Sequence, residues 1–323
     1  MIVSIILLIA GLALLVAGAE GLVRGASSLA VRLRIPALVI GLTIVSFGTS
    51  APELTVNLAS AFNSSPDLAI GNVVGSNIAN ILLILGICAF IRPLTVKSST
   101  VWKEIPLALL GVVLLFVIGN DVLIDGVSYN VISRSDGIVL LSLMAIFMYY
   151  IVSMARSDKK EVENEGEESI TQYGVLMSIL LISGGLIGLV LGGNVLVTEA
   201  VDIAKSAGLS EAFIGLTIVG VGTSLPELAT SVVATRKKQD DIAVGNIVGS
   251  NIFNVFFILG LTAVITKLPF NAAASTDVLV AVGATALLFV FMFVFRKHKL
   301  TRLEGGVFLA VYLGYIVYLV NRG

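Results

Sequence analysis

The chain has 323 residues, of which 57% are hydrophobic and 13% are charged, and its mean hydropathy is +1.04. This composition leaves too little polar surface for a water-soluble globule of that length, so we expect an integral membrane protein. The formal net charge of −1 indicates no particular partner. The single cysteine, Cys88, excludes an intrachain disulfide, and the single histidine, His298, excludes a site built from several histidines.

Ten apolar runs follow one another along the chain, each about as long as the 20 residues of a membrane-spanning helix. The first run lacks the basic start of a secretory signal, so we expect a permanent helix there. The runs lie near residues 2–22, 37–62, 68–91, 104–119, 137–155, 173–197, 211–235, 242–266, 275–295 and 303–320. The sequence therefore predicts an all-α integral membrane protein with ten transmembrane helices.

A duplicated segment divides the chain into two halves. Residues 41–86 return without a gap at residues 215–260, and 24 of the 46 aligned residues are identical. Repetition of this kind inside a membrane protein is typical of transporters built from two related halves. We expect a first five-helix repeat at 1–155, a charged cytoplasmic linker at 156–171 and a second five-helix repeat at 172–323.

Because five is an odd number, the two halves enter the membrane in opposite senses, and the repeats are predicted to be inverted. The loops after odd-numbered spans carry sixteen of the twenty lysines and arginines. Such a bias marks the cytoplasmic side, so we expect a plasma-membrane protein with both termini outside. The four basic residues of the opposite side are Arg134, Lys205, Lys267 and Arg322.

Each duplicated segment places one glutamate in an apolar run, Glu53 in the first copy and Glu227 in the second. A carboxylate at the bilayer centre costs about 2.5–3.5 kcal/mol by insertion scales. No lysine or arginine lies in the apolar interior to pair with either one, which leaves protonation or a bound cation. Two carboxylates that converge near the midplane match the charge of one divalent ion.

The residues before each glutamate favour the cation. Pro52 and Pro226 remove an amide donor, so each helix is expected to kink and to free carbonyl oxygens one turn earlier. A bound cation can satisfy freed carbonyls at membrane depth, and oxygen donors suit Ca²⁺ and Na⁺. The expected carbonyls belong to the region of Ser46, Thr49, Gly220 and Thr223, and the expected hydroxyls to Thr49, Ser50, Thr223 and Ser224.

The strings GNVVGSN and GNIVGSN are expected to line the other side of the site, opposite the two glutamates. Ser76 and Asn80 lie four residues apart and share a helix face, as do Ser250 and Asn254. These four residues either bind ions or make hydrogen bonds between helices. Two further asparagines, Asn72 and Asn246, are either helix caps or ion contacts, and the glycines of the first and sixth spans form either packing faces or surfaces that slide past the site.

The paired GTSxPEL and GNxVGSN strings resemble the alpha-repeats of the Ca²⁺/cation antiporter superfamily, most closely its prokaryotic Na⁺/Ca²⁺ exchangers. The resemblance covers essentially the whole chain. It implies antiport of Na⁺ and Ca²⁺ by alternating access, in which the first and sixth spans move. It further implies a Ca²⁺ site of Glu53, Glu227 and the carbonyls of Thr49 and Thr223, with Na⁺ sites that use Ser50, Ser76, Ser224, Ser250 and the carbonyls of Ser46 and Gly220. Asn80 and Asn254 complete the central region.

Coupling to H⁺ or K⁺ remains open, although the K⁺-dependent branch carries Asp where this chain has Asn254. A cation channel would also use midplane carboxylates, but it needs no inverted duplication. An intramembrane protease would need a nucleophile with its base or a pair of aspartates within the apolar runs, and we expect neither. The sequence therefore predicts a transporter that is not an enzyme, with no cofactor, nucleic acid or obligatory protein partner.

Overall fold

The computed structural model describes residues 2–62, 66–157, 171–206, 220–294 and 296–322. Its helices are α1 (Ile2–Leu33), α2 (Ala37–Thr49), α3 (Ala51–Phe62), α4 (Asp67–Ile91), α5 (Thr100–Ile118), α6 (Asp121–Ile124), α7 (Arg134–Ser157), α8 (Val175–Ser206), α9 (Gly220–Gly222), α10 (Leu225–Arg236), α11 (Asp240–Ile265), α12 (Ala272–Val294) and α13 (Arg302–Arg322). The charged linker predicted at 156–171 lies outside the described residues except at its two ends.

Within the described ranges, eight of these helices are long and apolar enough to cross a membrane. A ninth span is formed when α2 and α3, which meet at a bend of 45°, are taken together. The predicted seventh span, 211–235, begins among residues that are not described, and α9 and α10 are its described part. The protein is therefore a multi-pass, all-helical membrane protein, as its composition predicted.

Two helices are longer than their apolar runs. Both α1 and α8 have 32 residues, or about 48 Å at 1.5 Å per residue, against a hydrocarbon core of about 30 Å. The additional turns of α1 contain the charged residue Arg24. Its Nε donates a 2.8 Å hydrogen bond to Glu20 one turn earlier. Hydropathy alone placed the end of the first span at residue 22, since it does not recognise polar turns that continue a helix.

Four short strands, which the sequence analysis did not predict, join the two halves. The strands are β1 (Leu94–Thr95), β2 (Val131–Ile132), β3 (Leu268–Pro269) and β4 (Lys299–Leu300). The antiparallel pairs are β1 with β4 and β2 with β3. Loops after the third and ninth spans thus lie on one face of the membrane, and loops after the fourth and eighth on the other. This pairing confirms that the repeats are inverted.

The glycines of α1 and α8 face each other. A Cβ atom built on Gly18 would lie 2.7 Å from the carbonyl oxygen of Gly185, and one built on Gly192 would lie 2.8 Å from that of Gly11. The two backbones are therefore in direct contact, as at other small-residue helix crossings in membranes. These glycines form a packing face within the pair.

Helices α4 and α11 form the centre of the molecule. In their apolar windows 72% and 83% of the residues are buried, against 22% for α1 and 33% for α8. Each contains a π-helical segment, Ala79–Leu85 in α4 and Phe253–Leu259 in α11. Such wider turns commonly occur at functional sites. The polar strings of the repeats thus lie in the most buried part of the protein.

Candidate cation site between the two repeats

Both duplicated segments break their helix at a serine. Ser50 separates α2 from α3 with φ −83° and ψ 10°, and Ser224 precedes α10 with φ −87° and ψ 7°. A proline, Pro52 or Pro226, is the second residue of the helix that follows, where its missing N–H is tolerated. The predicted break is confirmed, and it brings the next residue, a glutamate, into the first turn of each new helix.

The carbonyl of Ser46 is not freed by this break. It accepts the backbone N–H of Ser50 at 3.0 Å and the hydroxyl of Thr49 at 3.3 Å. The physical reason is register, because the missing N–H of Pro52 would have reached the residue four before it, which is Gly48. A carbonyl oxygen has two lone pairs, so a cation that binds at Ser46 would have to replace the hydroxyl of Thr49.

The second break differs in register. The backbone N–H of Ser224 donates to Val221 at 3.1 Å, one residue after the position equivalent to Ser46. Gly220, which holds that equivalent position in α9, therefore does not receive the hydrogen bond that Ser46 receives. The two breaks are similar in shape but not identical in hydrogen bonding.

Glu227 lies in a compact hydroxyl cluster and is 1% exposed. Its Oε1 accepts hydrogen bonds from Ser50 at 2.9 Å and from Ser250 at 3.3 Å. The two serine oxygens are 3.0 Å apart. A residue of the first repeat, Ser50, thus contacts the carboxylate of the second.

Glu53 has the equivalent surroundings with longer contacts, and it is also 1% exposed. Its Oε1 accepts hydrogen bonds from Ser224 at 3.3 Å and from Ser76 at 3.4 Å. Both carboxylates are therefore bound by one serine of their own repeat and one of the other. None of the ion pairs among the described residues involves Glu53 or Glu227.

Asn72 fixes the backbone beside Glu53. Its Nδ2 donates to the carbonyl oxygen of Glu53 at 3.2 Å and to Asn57 at 2.7 Å, while its Oδ1 accepts from Thr223 at 3.3 Å. It lies inside α4 and is not a helix cap. The equivalent contacts of the second repeat are Asn246 to the carbonyl of Glu227 at 3.4 Å and to Ser231 at 3.0 Å, and Thr49 to Asn246 at 3.0 Å.

Four buried acceptor oxygens of this cluster have no hydrogen-bond partner among the described residues. They are Oε2 of Glu53, Oε2 of Glu227, Oδ1 of Asn80 and Oδ1 of Asn254. Leaving a buried acceptor without a donor costs about 1–3 kcal/mol, and more for a charged group. Four such atoms in two symmetry-related pairs are suited to a cation, which can be satisfied by oxygen atoms alone.

The structure thus brings together the predicted hydroxyl and carboxylate residues of both repeats. It adds buried polar partners that the sequence analysis missed, Asn57, Ser231, Asn77 and Asn251, which occupy two pairs of equivalent positions at the 174-residue offset. Among the described residues there is no group of three or more His, Cys, Asp or Glu side chains that could hold a metal ion. A cation here would depend on neutral oxygens as much as on carboxylates.

A cavity of about 330 Å³ lies beside this cluster. It lies between α3, α8 and the α9–α10 break, and its polar lining includes Thr55, Asn194, Thr198 and Thr223. Since α3 continues from the break towards the face that carries β2 and β3, the cavity lies in the half of the protein next to that face.

The sequence model of a single family, described as sodium/calcium exchanger protein, matches residues 3–153 and 177–321. The chain belongs to the sodium/calcium exchanger family. Members of this family are transporters and not enzymes, and the chain is a cation antiporter of that family.

Relatives are similar over most of their lengths. The chain is 41% identical to inner membrane protein YrbG of Escherichia coli over 82% of this chain and 81% of the relative. It is 38% identical to the putative antiporter CaxA of Alkalimonas amylolytica over 98% of both. It is 30% identical to the sodium/calcium exchanger MaX1 of Methanosarcina acetivorans, again over 98% of both.

Solved structures of the sodium-calcium exchanger NCX_Mj have the same fold. One of them superposes with a TM-score of 0.82 at 32% sequence identity and covers 98% of both chains. This likeness agrees with the helical, inverted architecture described above.

Proposed function

We propose that this exchanger family member moves Ca²⁺ across the membrane in exchange for Na⁺, by alternating access to the site between Glu53 and Glu227. The observation that carries the proposal is the set of four buried acceptor oxygens on Glu53, Glu227, Asn80 and Asn254 that have no donor among the described residues. The relatives named sodium/calcium exchanger add support.

Ca²⁺ suits the centre of the site on charge and on ligand type. Two carboxylates neutralise one divalent ion, and Ca²⁺ takes about six to eight oxygen ligands. The carboxylates of Glu53 and Glu227 and the amide oxygens of Asn80 and Asn254 would bind it. The carbonyls of Thr49 and Thr223 would complete its coordination, because each belongs to the residue directly before a helix break.

Na⁺ suits the serines beside the carboxylates. The hydroxyls of Ser50, Ser76, Ser224 and Ser250 all lie within 3.4 Å of a glutamate oxygen. Together with the carbonyls of Ser46 and Gly220 they offer more oxygens than one Ca²⁺ needs. We infer that several Na⁺ ions bind in place of one Ca²⁺ and share its carboxylates, which makes the two ions competitors.

The remaining structural expectations form part of the same proposal. The chain would consist of repeats at 1–155 and 172–323 joined by a cytoplasmic linker, and the basic loops would place the β1–β4 face in the cytoplasm and both termini outside the plasma membrane. The cavity beside Thr223 would then open to the outside. At the opposite face, Lys237 directly after α10 pairs with Glu20 of α1 at 2.7 Å, and this contact would hold the cytoplasmic side closed.

The α1–α8 pair would be the moving part. Its backbones are in contact with each other, whereas it meets the site helices through side chains, Leu186 against Gly48 and Val197 against Gly222. Movement of the pair as one body would close the outer cavity and separate Glu20 from Lys237.

A second candidate is coupling to K⁺ or H⁺. The sodium/potassium/calcium exchanger 1 of Rattus norvegicus is 28% identical over 44% of this chain and 12% of that relative. Coupling to K⁺ is disfavoured by Asn254, because this neutral residue adds no negative charge to the two carboxylates of the site. Measurement of ⁴⁵Ca²⁺ uptake into proteoliposomes, with outward gradients of Na⁺, K⁺ or H⁺ compared side by side, separates these possibilities. Uptake driven by Na⁺ alone supports the proposal, and uptake driven only by H⁺ or K⁺ overturns it.

A further inference from the structure

A pair of asparagines joins the two repeats at the centre of the molecule. Asn77 of α4 and Asn251 of α11 are equivalent residues, and they are 1% and 2% exposed. Each directly follows a site serine and precedes a site amide, Asn80 or Asn254, by three residues. Neither is assigned to ion binding in the function proposed above.

These two residues bind each other reciprocally. The Nδ2 of Asn77 donates to the carbonyl oxygen of Asn251 at 3.4 Å, and the Nδ2 of Asn251 donates to that of Asn77 at 3.4 Å. Their side-chain oxygens are also occupied. The Oδ1 of Asn251 accepts from Asn80 at 2.9 Å, and the Oδ1 of Asn77 accepts from Asn254 at 3.1 Å.

This network selects one orientation of each site amide. If the amide of Asn80 were reversed, its oxygen would face the oxygen of Asn251, and two acceptors repel each other. The Nδ2 of Asn80 therefore points to Asn251, and its Oδ1 is the atom left without a partner. The same argument holds for Asn254 against Asn77. An amide oxygen attracts a cation, whereas the NH₂ group of a reversed amide repels it.

We propose that Asn77 and Asn251 are positioning residues, which hold the oxygens of Asn254 and Asn80 available to the transported cation and thereby set its affinity. This inference depends on the proposed function. The action is crossed, because the residue of one repeat orients the ligand of the other. Partners that orient metal ligands typically change affinity by about 10–100-fold when they are replaced.

Double-mutant cycles on Ca²⁺ affinity test the crossed pattern. The single variants are Asn251→Leu, Asn77→Leu, Asn80→Ala and Asn254→Ala in the full-length purified chain. Affinity is taken from the Ca²⁺ dependence of the thermal unfolding temperature, which requires no turnover. We expect each Leu variant to weaken Ca²⁺ binding about 10-fold. Asn251→Leu should add almost nothing once Asn80 is alanine, and Asn77→Leu almost nothing once Asn254 is alanine.

The same-repeat pairs are the matched controls. Asn251→Leu with Asn254→Ala, and Asn77→Leu with Asn80→Ala, should show effects that multiply, because the amide in each of these pairs is oriented by the asparagine of the other repeat. A merely structural role would lower the unfolding temperature without Ca²⁺ and would give no difference between crossed and same-repeat pairs. Multiplying effects in the crossed pairs would overturn the inference.

Replacement variants and the wild-type response complete the test. If the leucine variants do not fold, Asn77→Ser and Asn251→Ser, whose side chains are too short to reach the opposite amide, enter the same cycles. A wild-type chain that shows no Ca²⁺-dependent stabilisation would refute the proposed Ca²⁺ site itself. A wild-type response combined with non-crossed coupling would refute only the positioning role.

Discussion

The helices of the α1–α8 pair and those of the α4–α11 centre are held together by different kinds of contact. In the pair, glycines bring two helix backbones together, so that a Cβ on Gly18 would lie 2.7 Å from the backbone of the opposite helix. In the centre, hydrogen bonds between side chains join the helices, yet acceptor oxygens such as Oε2 of Glu53 stay without donors. The first contact is complete without a ligand. The second leaves acceptor oxygens that the proposed cation would satisfy.

The largest effect on Ca²⁺ exchange is expected when one of the two buried carboxylates of the centre is removed. Glu53→Gln and Glu227→Gln should each reduce Ca²⁺ exchange to background, because a Ca²⁺ with one carboxylate keeps an uncompensated charge in a low-dielectric site. Uptake of ⁴⁵Ca²⁺ per folded protein measures this. Glu104→Gln is a matched control, since Glu104 is also buried but accepts its hydrogen bond from Tyr150 away from the site.

Stability should not fall in the two site variants, because an amide costs less than a carboxylate in the membrane. A folded Glu53→Gln protein that exchanges Ca²⁺ at the wild-type rate would show that this carboxylate does not bind the ion.

The next prediction concerns movement of the α1–α8 pair. In a Cys88→Ala background, a disulfide between Val197→Cys of α8 and Gly222→Cys of α9 should stop exchange until it is reduced, because it ties the pair to the site helices. The ideal Cβ of Gly222 lies 2.6 Å from a methyl group of Val197, so the two positions are adjacent.

The matched control is a bridge inside the pair, Ser28→Cys with Ser178→Cys, whose hydroxyl oxygens are 3.0 Å apart. That bridge should leave exchange intact, because both helices move together. Equal inhibition by the two bridges would contradict motion of the pair as one body.

The sequence predicted the architecture well because its signals are local and repeated. The 174-residue offset and the odd number of spans were enough to predict inverted repeats, and Pro52 was enough to predict a break near Ser50. Both predictions use features that can be read directly from one sequence, namely a repeated segment and the position of a proline.

The remaining features depend on partners from distant parts of the chain. The roles of Asn77 and Asn251 follow only from their contact across 174 residues. The serine contacts of both carboxylates likewise cross from one repeat to the other, Ser50 to Glu227 and Ser224 to Glu53. Contacts of this kind cannot be read from periodicity or hydropathy.

A smaller effect, on stability, is expected in the glycine face. Gly18→Ala should destabilise the protein by about 1–3 kcal/mol, because the new methyl group must push two backbones apart. Thermal unfolding in detergent measures it. Gly184→Ala is the control on the facing helix, where a Cβ would meet nothing within 4 Å. Equal unfolding temperatures for the two variants would mean that the α1–α8 contact tolerates separation.

The smallest expected effects distinguish the two carboxylate clusters. The serine contacts of Glu227 are 2.9 and 3.3 Å, and those of Glu53 are 3.3 and 3.4 Å. Removing one hydrogen bond to a carboxylate costs about 1.5–3 kcal/mol when the bond is short and less when it is long. Ser50, at 2.9 Å, and its equivalent Ser224, at 3.3 Å, are the matched pair, so Ser50→Ala should weaken the Na⁺ dependence of exchange more than Ser224→Ala does.

For Ser224→Ala we expect a rise of a few-fold in the Na⁺ concentration that gives half-maximal Ca²⁺ release from proteoliposomes, and for Ser50→Ala a rise of roughly 10-fold. The Ca²⁺ concentration at half-maximal uptake should change less in both variants, because the carboxylates and amide oxygens remain. If more than two Na⁺ ions replace each Ca²⁺, the wild-type rate should also respond to voltage, by up to about 2.3 kcal/mol per charge per 100 mV. Exchange that ignores voltage, or serine variants that lose Ca²⁺ affinity before Na⁺ dependence, would place the surplus oxygens in the Ca²⁺ site and remove the reason for separate Na⁺ positions.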